Sequence, residues 1–153
     1  MNNLLFKTHN TSTGLILRLT LGVIFLPHGL QKTVGWFGGP GFVQMMKVFT
    51  EQMHVPAIVA FLVIMIEFIG AVCLIIGFAT RFLAIAYIGL MIGIMFTAHL
   101  QFGFFMNWMG TQKGEGIQFD LMAIGIALAL IFEGGGKYAI DKYITNRRLK
   151  KIP

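Results

Sequence analysis

The sequence predicts an all-α membrane protein: a four-transmembrane-helix bundle with a short interfacial helix in the first outer loop. Three observations lead to this fold class. Hydrophobic residues make up 56% of the chain and charged residues only 12%, about half the share that is usual in soluble domains. Four long apolar runs are separated by short turns or aromatic-rich segments. Lys and Arg also concentrate on one side of the bundle that these runs define.

The apolar runs predict helices at about residues 14–33, 56–78, 81–100 and 117–133, all within one domain that spans residues 1–153. Each run approaches the roughly 20 residues that a helix needs to cross a bilayer. We expect the first run to be retained rather than cleaved as a signal peptide, because it contains Arg18 and no A-x-A pattern follows it. The link at residues 77–80 is so short that the second and third helices should be adjacent and antiparallel, with Thr80 as an N-cap.

The two outer connections are long and unusually apolar. In the first, the residues spaced by three and four positions are Phe42, Met45, Met46 and Phe49. This spacing predicts one apolar face of a short helix that lies flat at the membrane surface. Trp36 and Phe37 are expected at the depth of the lipid head groups. The second connection is also rich in aromatic residues and glycine, so the two together are expected to cover the outer mouth of the bundle.

The distribution of charge predicts the orientation. If both termini are cytoplasmic, eight Lys and Arg residues lie inside and three lie outside, which fits the positive-inside rule. The net charge of +6 comes largely from the tail at residues 137–153. We expect this tail to bind anionic lipid head groups rather than nucleic acid.

Cysteine content excludes one class of redox protein. Cys73 is the only cysteine, so the chain can form neither an internal disulfide nor a C-x-x-C redox pair. Electron transfer would therefore require a bound cofactor or another subunit.

Ionisable residues in the apolar runs are the first candidates for a functional site, because each costs roughly 2.5–3.5 kcal/mol at the bilayer centre. At 3.6 residues per turn, Arg18, His28 and Lys32 share one face of the first helix. The glycines on the same face are Gly14, Gly22 and Gly29. Small residues permit close helix approach, so this face is expected to point into the bundle.

Glu67 lies near the middle of the second run, at a depth that Arg18 is expected to reach from the opposite side. A buried Arg18–Glu67 pair is the simplest explanation for both residues. Such a pair can either set the helix register or take part in function, and both readings stay open.

His99 and Asp120 fall near the outer ends of the third and fourth helices, level with His28 and Lys32. Taken singly, a histidine at a helix end can be an interfacial donor, and Lys32 can extend to the head groups. The convergence of these groups from several helices favours a shared pocket, with His28 and Lys32 at its mouth. Two histidines on different helices could also ligate haem, but no H-x-x-x-H or C-x-x-C motif supports haem, and no metal is predicted.

Two segments, FLPHGLQKTVGWFGGPGF and GFFMNWMGTQKGEGIQFD, resemble the DoxX family of small four-helix bacterial membrane proteins. The resemblance also covers Arg18, Glu67, His99, Asn107-Trp108 and Gly114-Glu115-Gly116. It implies a place in the bacterial cytoplasmic (inner) membrane. It further implies a subunit of a quinone-linked oxidoreductase, or a partner of soluble redox and sulfur-transfer enzymes. The family supplies no catalytic residue set that can be carried over, so the site residues rest on the physical argument.

We therefore expect a redox-associated subunit that binds a quinone-like or other small amphipathic ligand in the outer half of the bundle. The candidate catalytic residues are Arg18, His28, Lys32, Glu67 and His99. The candidate ligand-binding residues are Trp36, Phe37, Phe104, Phe105, Asn107, Trp108, Glu115 and Asp120. His28 and Lys32 would donate hydrogen bonds to a carbonyl oxygen, Glu67 held by Arg18 would relay protons, and the aromatic residues would form apolar walls.

Two alternatives stay open. The chain could be a non-catalytic scaffold or assembly subunit for partner oxidoreductases. It could also be a small-solute carrier, which would have to act as a homo-oligomer because one chain lacks the paired repeats of secondary transporters. The expected partners are thus membrane lipids, the amphipathic ligand, and redox proteins or a second copy.

Overall fold

The structure, a computed structural model, describes residues 8–149, and side chains as far as residue 146. Lys7, Lys150 and Lys151, which contribute to the predicted orientation, lie outside the described residues, as does the end of the predicted tail at 137–153. Every regular element in the described range is helical. The all-α class is therefore confirmed.

Six α-helices follow one another along the described chain. They are α1 (Ser12–Thr33), α2 (Gly41–Lys47), α3 (Ala57–Ile76), α4 (Thr80–Phe102), α5 (Gln118–Glu133) and α6 (Ile140–Leu149). Three π-helical turns interrupt the regular pattern: Val48–Gln52 extends α2, Ile66–Gly70 lies within α3, and Met95–His99 lies within α4. A short helix therefore occurs in the first long connection as expected, whereas its position at a membrane surface stays a prediction.

Three helices, α1, α3 and α4, are long and apolar enough to cross a membrane. Helix α5 has 16 residues, which corresponds to about 24 Å against a hydrocarbon core of about 30 Å. A fourth span formed by α5 therefore remains a prediction.

The bundle has two ends, which we name after their connections. The hairpin end carries the turn at residues 77–79 and the start of α1, and the loop end carries the long connections at residues 34–56 and 103–117. The short link between α3 and α4 is as expected, but Thr80 is not the N-cap. Ala79 occupies that position at φ 53°, and the Asp141 carboxylate accepts hydrogen bonds from the backbone N–H groups of Ala79 (2.7 Å) and Thr80 (2.8 Å).

Glycines on α1 bring its backbone against α3, as the sequence predicts. A Cβ atom added at Gly29 would lie 2.5 Å from the Cα of Phe68, and one at Gly22 would lie 2.8 Å from Cγ1 of Ile75. Side chains larger than hydrogen cannot fit at this separation without a shift of one helix. This face of α1 therefore points into the bundle, where the core contains Leu21, Phe25, Leu74, Tyr87 and Leu130.

Candidate functional site

The charged pair inside the bundle joins Lys32 to Glu67. Lys32 lies in the last turn of α1, and its Nζ donates a hydrogen bond to Oε2 of Glu67 in the middle of α3. The side chains are 17% and 3% exposed, so the carboxylate is almost completely removed from solvent. A buried carboxylate needs a partner of opposite charge, and Lys32 provides it.

His28 lies one turn before Lys32 on α1, and its side chain is exposed. Its ring is 6.1 Å from that of Phe25, a buried residue of the same helix. The structure therefore joins two of the predicted site residues, Lys32 and Glu67, and places His28 one turn away on α1.

Tyr87 of α4 fixes the backbone next to Glu67. Its hydroxyl donates a hydrogen bond of 2.9 Å to the carbonyl of Ile66, the first residue of the π-helical turn that contains Glu67. The tyrosine is fully buried, and its ring packs 4.8 Å from Phe25. Sequence reasoning missed this residue, although a lone phenolic hydroxyl in the middle of an apolar run was an available signal.

A groove of about 550 Å³ opens between α3 and α4, and we call it the α3–α4 groove. Its walls are aliphatic side chains of α3, such as Val59 and Val63, and the Gly89 and Gly93 positions of α4. Lys32 and Glu67 are the charged residues among the described side chains that line it, and Thr97 adds a hydroxyl. The groove is thus an apolar cavity with one strongly polar place.

The α3–α4 groove also opens sideways. Val59 and Leu62 are 44% and 49% exposed, and a Cβ atom added at Gly89 or Gly93 would meet no atom within 4 Å.

Each of the three π-helical turns in the described range contributes to the lining of this groove. Phe49 comes from the turn after α2, Ile66 and Glu67 from the turn in α3, and Thr97 and Ala98 from the turn in α4. π-Helical turns occur frequently at functional sites, because they redirect side chains at a cost in backbone hydrogen bonding.

His99 and Asp120 form a separate pair at the loop end. Nδ1 of His99 lies 2.8 Å from Oδ2 of Asp120, and this contact joins the end of α4 to the first turn of α5. Neither residue lines the α3–α4 groove. The single pocket expected for His28, Lys32, His99 and Asp120 is therefore not observed. Lys32 lines the α3–α4 groove, whereas His99 and Asp120 pair outside it.

The expected Arg18–Glu67 pair does not form, and that prediction was wrong. Arg18 is 2% exposed and lies at the hairpin end, where it donates to backbone carbonyls rather than to a carboxylate. Its acceptors are Leu74 (3.1 Å), Ile75, Gly135 (2.8 Å) and Lys137 (3.1 Å). Leu74 and Ile75 are in the last turn of α3, where carbonyls have no partner within the helix. Arg18 thus caps α3 and ties it to the segment after α5.

The aromatic residues predicted as walls lie at the surface of the chain. Trp36, Phe37, Phe104, Phe105 and Trp108 are between 49% and 77% exposed. None of them lines the α3–α4 groove, whose walls are formed mainly by aliphatic residues. Their role as ligand contacts stays a prediction.

Asn107 and Glu115 organise the second long connection. The Glu115 carboxylate accepts a 2.7 Å hydrogen bond from the backbone N–H of Asn107, whose side chain exchanges two hydrogen bonds with the backbone of Gln112. These contacts hold the loop in its own fold, and neither residue lines the α3–α4 groove. Among the described residues, no group of three or more His, Cys, Asp or Glu side chains could hold a metal ion.

Comparison with known proteins places the chain in a family. The DoxX family model matches residues 13–100, more than half of the chain. A Bacillus subtilis (strain 168) protein named "Putative oxidoreductase CatD" is 28% identical over 130 residues, which cover 85% of each chain. "Inner membrane protein YqjF" of Escherichia coli (strain K12) is 28% identical over 133 residues, covering 87% of this chain and 92% of its own. No solved structure matches.

The family match contains Arg18, His28, Lys32, Glu67 and His99, and it ends before Asp120. It therefore includes both the helix face that carries the Lys32–Glu67 pair and the arginine that caps α3. The chain belongs to the DoxX family.

Proposed function

We propose that this chain is a redox-associated subunit of the bacterial inner membrane that binds a quinone-like or other small amphipathic ligand in the α3–α4 groove. In this proposal α5 is the fourth span and both termini are cytoplasmic. The names of the two relatives, an oxidoreductase and an inner membrane protein, support the redox setting and the location.

The observation that carries the proposal is the chemistry of the groove lining. Aliphatic walls of about 550 Å³ surround one ion pair, Lys32–Glu67. Ligand sites are usually apolar cavities with a few polar groups that fix orientation. An amphipathic molecule matches this arrangement, because its polar end can face the pair while its apolar part contacts α3 and α4.

Lys32 is the group that would hold the ligand. An ammonium group has three N–H donors, and Glu67 takes one of them. A remaining N–H of Lys32 can donate to a carbonyl oxygen of the ligand. The positive charge of the ammonium group then stabilises negative charge that develops on that oxygen. The quinone would supply the redox chemistry. The Glu67 carboxylate keeps the Lys32 side chain turned into the bundle. It is also the group nearest to Lys32 that could exchange a proton with the lysine.

The sideways opening suits a ligand dissolved in the bilayer. Such a molecule can enter between α3 and α4 without crossing the head-group region. His28 is one turn from Lys32 but is exposed and does not line the groove, so its part as a second donor is the weakest element of this proposal.

Purification in mild detergent, followed by solvent extraction and mass spectrometry, tests the proposal. We expect quinone to co-purify with the wild-type chain and with the Lys47→Met control, whose lysine is exposed on α2 and does not line the groove. The Lys32→Met/Glu67→Gln double variant removes both charges together and should lose at least roughly tenfold of the bound ligand, since one strong polar contact is worth about 1.4 kcal/mol or more. Equal quinone content in the folded double variant and the wild type would overturn the proposal.

One observation favours the scaffold as a second candidate. The loop at residues 103–117 exposes Phe105 (66%), Trp108 (77%) and Met109 (87%), which is an unusual amount of apolar surface for one connection. If the purified chain contains no quinone, and if Trp108→Ala releases a co-purifying oxidoreductase, the scaffold function would be favoured instead.

A further inference from the structure

We propose that His99 and Asp120 form a second site, an aspartate-oriented imidazole that exchanges a proton with a hydroxyl group at the loop end of the bundle. The hydroxyl belongs either to solvent water or to the reduced form of the amphipathic ligand. The second source rests on the proposed function, whereas the first does not.

The first argument is the orientation of the ring. Nδ1 of His99 faces Oδ2 of Asp120 at 2.8 Å, so the carboxylate selects the tautomer with hydrogen on Nδ1. In that tautomer Nε2 carries a free lone pair. The imidazole is 23% exposed, whereas the carboxylate is 1% exposed, so the pair has one buried and one accessible side.

The second argument is the unpartnered oxygen of Asp120. Asp120 is fully buried, and its Oδ1 has no hydrogen-bond partner among the described residues. A buried carboxylate oxygen without a donor is costly, and natural structures retain such groups when they have a role or hold a water molecule. A buried water molecule is the smallest donor that satisfies Oδ1, and it is distinct from the hydroxyl that meets Nε2, because Nε2 points away from the carboxylate.

The surrounding backbone holds the pair in place. Asp120 lies in the first turn of α5, where the helix dipole stabilises a negative charge. Ile117 N–H donates to Gly103 O at 3.1 Å and Gln118 N–H donates to Phe104 O at 2.9 Å, and these two bonds close the base of the loop at residues 103–117 next to the start of α5. No other described titratable side chain forms a hydrogen bond or ion pair with either residue. The site is therefore built and not an incidental surface contact.

The transfer itself is a simple acid–base step. The hydroxyl O–H bond breaks, its proton forms a new bond with the lone pair of His99 Nε2, and the bonding electron pair remains on the oxygen. Asp120 stabilises the imidazolium through the Nδ1 hydrogen bond, and the lone pair of a second water molecule then takes the proton from Nε2, which restores the neutral imidazole. This arrangement resembles the general use of a carboxylate to orient and support a histidine base.

Modification by diethyl pyrocarbonate tests the site, because this reagent attacks the free lone pair of an accessible imidazole. The protein in detergent is treated briefly, digested and mapped by mass spectrometry, with the exposed His54 as internal standard. We expect His99 to be modified at a rate similar to or above that of His54. Asp120→Asn should slow His99 by roughly tenfold, as loss of an orienting partner does in other sites. Asp141→Asn, which removes a carboxylate that is equally buried at the hairpin end, should not slow it.

A second pair of measurements separates the two hydroxyl sources. Decylubiquinol, which carries hydroxyl groups, and decylubiquinone, which carries carbonyls, are compared as protecting agents. Protection of His99 by the quinol alone identifies the ligand hydroxyl, and modification that neither compound changes identifies water. If His99 of the wild type is unreactive while His54 reacts, or if folded Asp120→Asn protein reacts at the wild-type rate, the pair is only a structural link and the proposal fails. If Asp120→Asn does not fold, the comparison of His99 with His54 in the wild type still tests the proposal. Failure of this proposal would not change the quinone content expected for the α3–α4 groove.

Discussion

Lys32 and Glu67 form an ion pair across the interface between α1 and α3, directly beside Gly29, where the α3 backbone leaves no room for a Cβ atom. Gly29, one turn before Lys32, packs against the carbonyl of Glu67 itself. The glycine sets the distance between the helices, and at this distance the lysine reaches the carboxylate. Backbone packing and charge pairing thus depend on each other.

The two charges should be much less costly to remove together than singly. Lys32→Met leaves the Glu67 carboxylate without its cation, and Glu67→Gln leaves the Lys32 ammonium without its anion. Breaking a buried ion pair in this way costs about 3–5 kcal/mol in soluble proteins, whereas replacing both members is often nearly neutral. We expect each single variant to melt at a lower temperature and the double variant to recover most of the loss. Thermal unfolding followed by size-exclusion chromatography measures this. Single variants that melt with the wild type would show that the pair contributes nothing.

Gly29→Ala should separate α1 from α3. The new Cβ atom would lie 2.5 Å from the Cα of Phe68 and 2.6 Å from the carbonyl oxygen of Glu67, both of them backbone atoms that cannot move independently. We expect lower thermal stability together with loss of bound ligand. Gly125→Ala is the matched control, because a Cβ atom there meets nothing within 4 Å. That control should be neutral or more stable by up to about 1 kcal/mol, the helix propensity difference. Equal stability of the two variants would contradict the close packing.

Arg18 should matter for folding and not for ligand binding. Arg18→Met removes a donor from four carbonyls. The Leu74 carbonyl keeps the Gly77 N–H at 3.0 Å, and each buried carbonyl left with no donor costs about 1–3 kcal/mol. We expect a strong loss of folded protein, partly restored by Arg18→Lys. Ligand per folded molecule, measured on the monodisperse fraction, should stay at the wild-type value. If the Arg18→Lys protein is stable but has lost its ligand, Arg18 contributes to ligand binding and this prediction fails.

Tyr87→Phe should weaken ligand binding more than it weakens the fold. The hydroxyl holds the Ile66 carbonyl at the start of the turn that presents Glu67, and losing such a bond costs about 1 kcal/mol. The backbone at Glu67 is then less restrained, so the ion pair is less well placed. Affinity for decylubiquinone, measured by tryptophan fluorescence quenching, should fall, while Tyr138→Phe, a control at an 86% exposed tyrosine, should leave it unchanged.

The sequence was sufficient to locate the four long helices and the costly residues, but it neither paired those residues nor predicted α6 in the basic tail. Apolar runs and glycine spacing predict the helices and the face of α1 that packs on α3. Depth along a helix does not say which way a long side chain turns. Arg18 turns toward the carbonyls of Leu74 and Ile75 at the end of α3, and Lys32 extends toward the middle of the bundle instead.

The groove itself has no simple sequence signal. Part of its lining comes from three π-helical turns, and the turn in α3 is held by a tertiary contact, the Tyr87–Ile66 hydrogen bond. The aromatic loops were easier to see in the sequence, because tryptophan and phenylalanine near a membrane surface are conspicuous. The sequence therefore predicts the walls of the ligand site among these aromatic residues rather than among the aliphatic residues of α3 and α4.

Photolabelling with an azido-quinone gives the most direct test of where the ligand binds. After irradiation of the detergent-purified protein, mass spectrometry of the peptides identifies the labelled residues. Our account predicts label on the groove-lining stretches at residues 59–67 and 86–98, with loss of label in the Lys32→Met/Glu67→Gln variant. Label confined to the aromatic loop at 103–117, or equal labelling of the double variant, would contradict it.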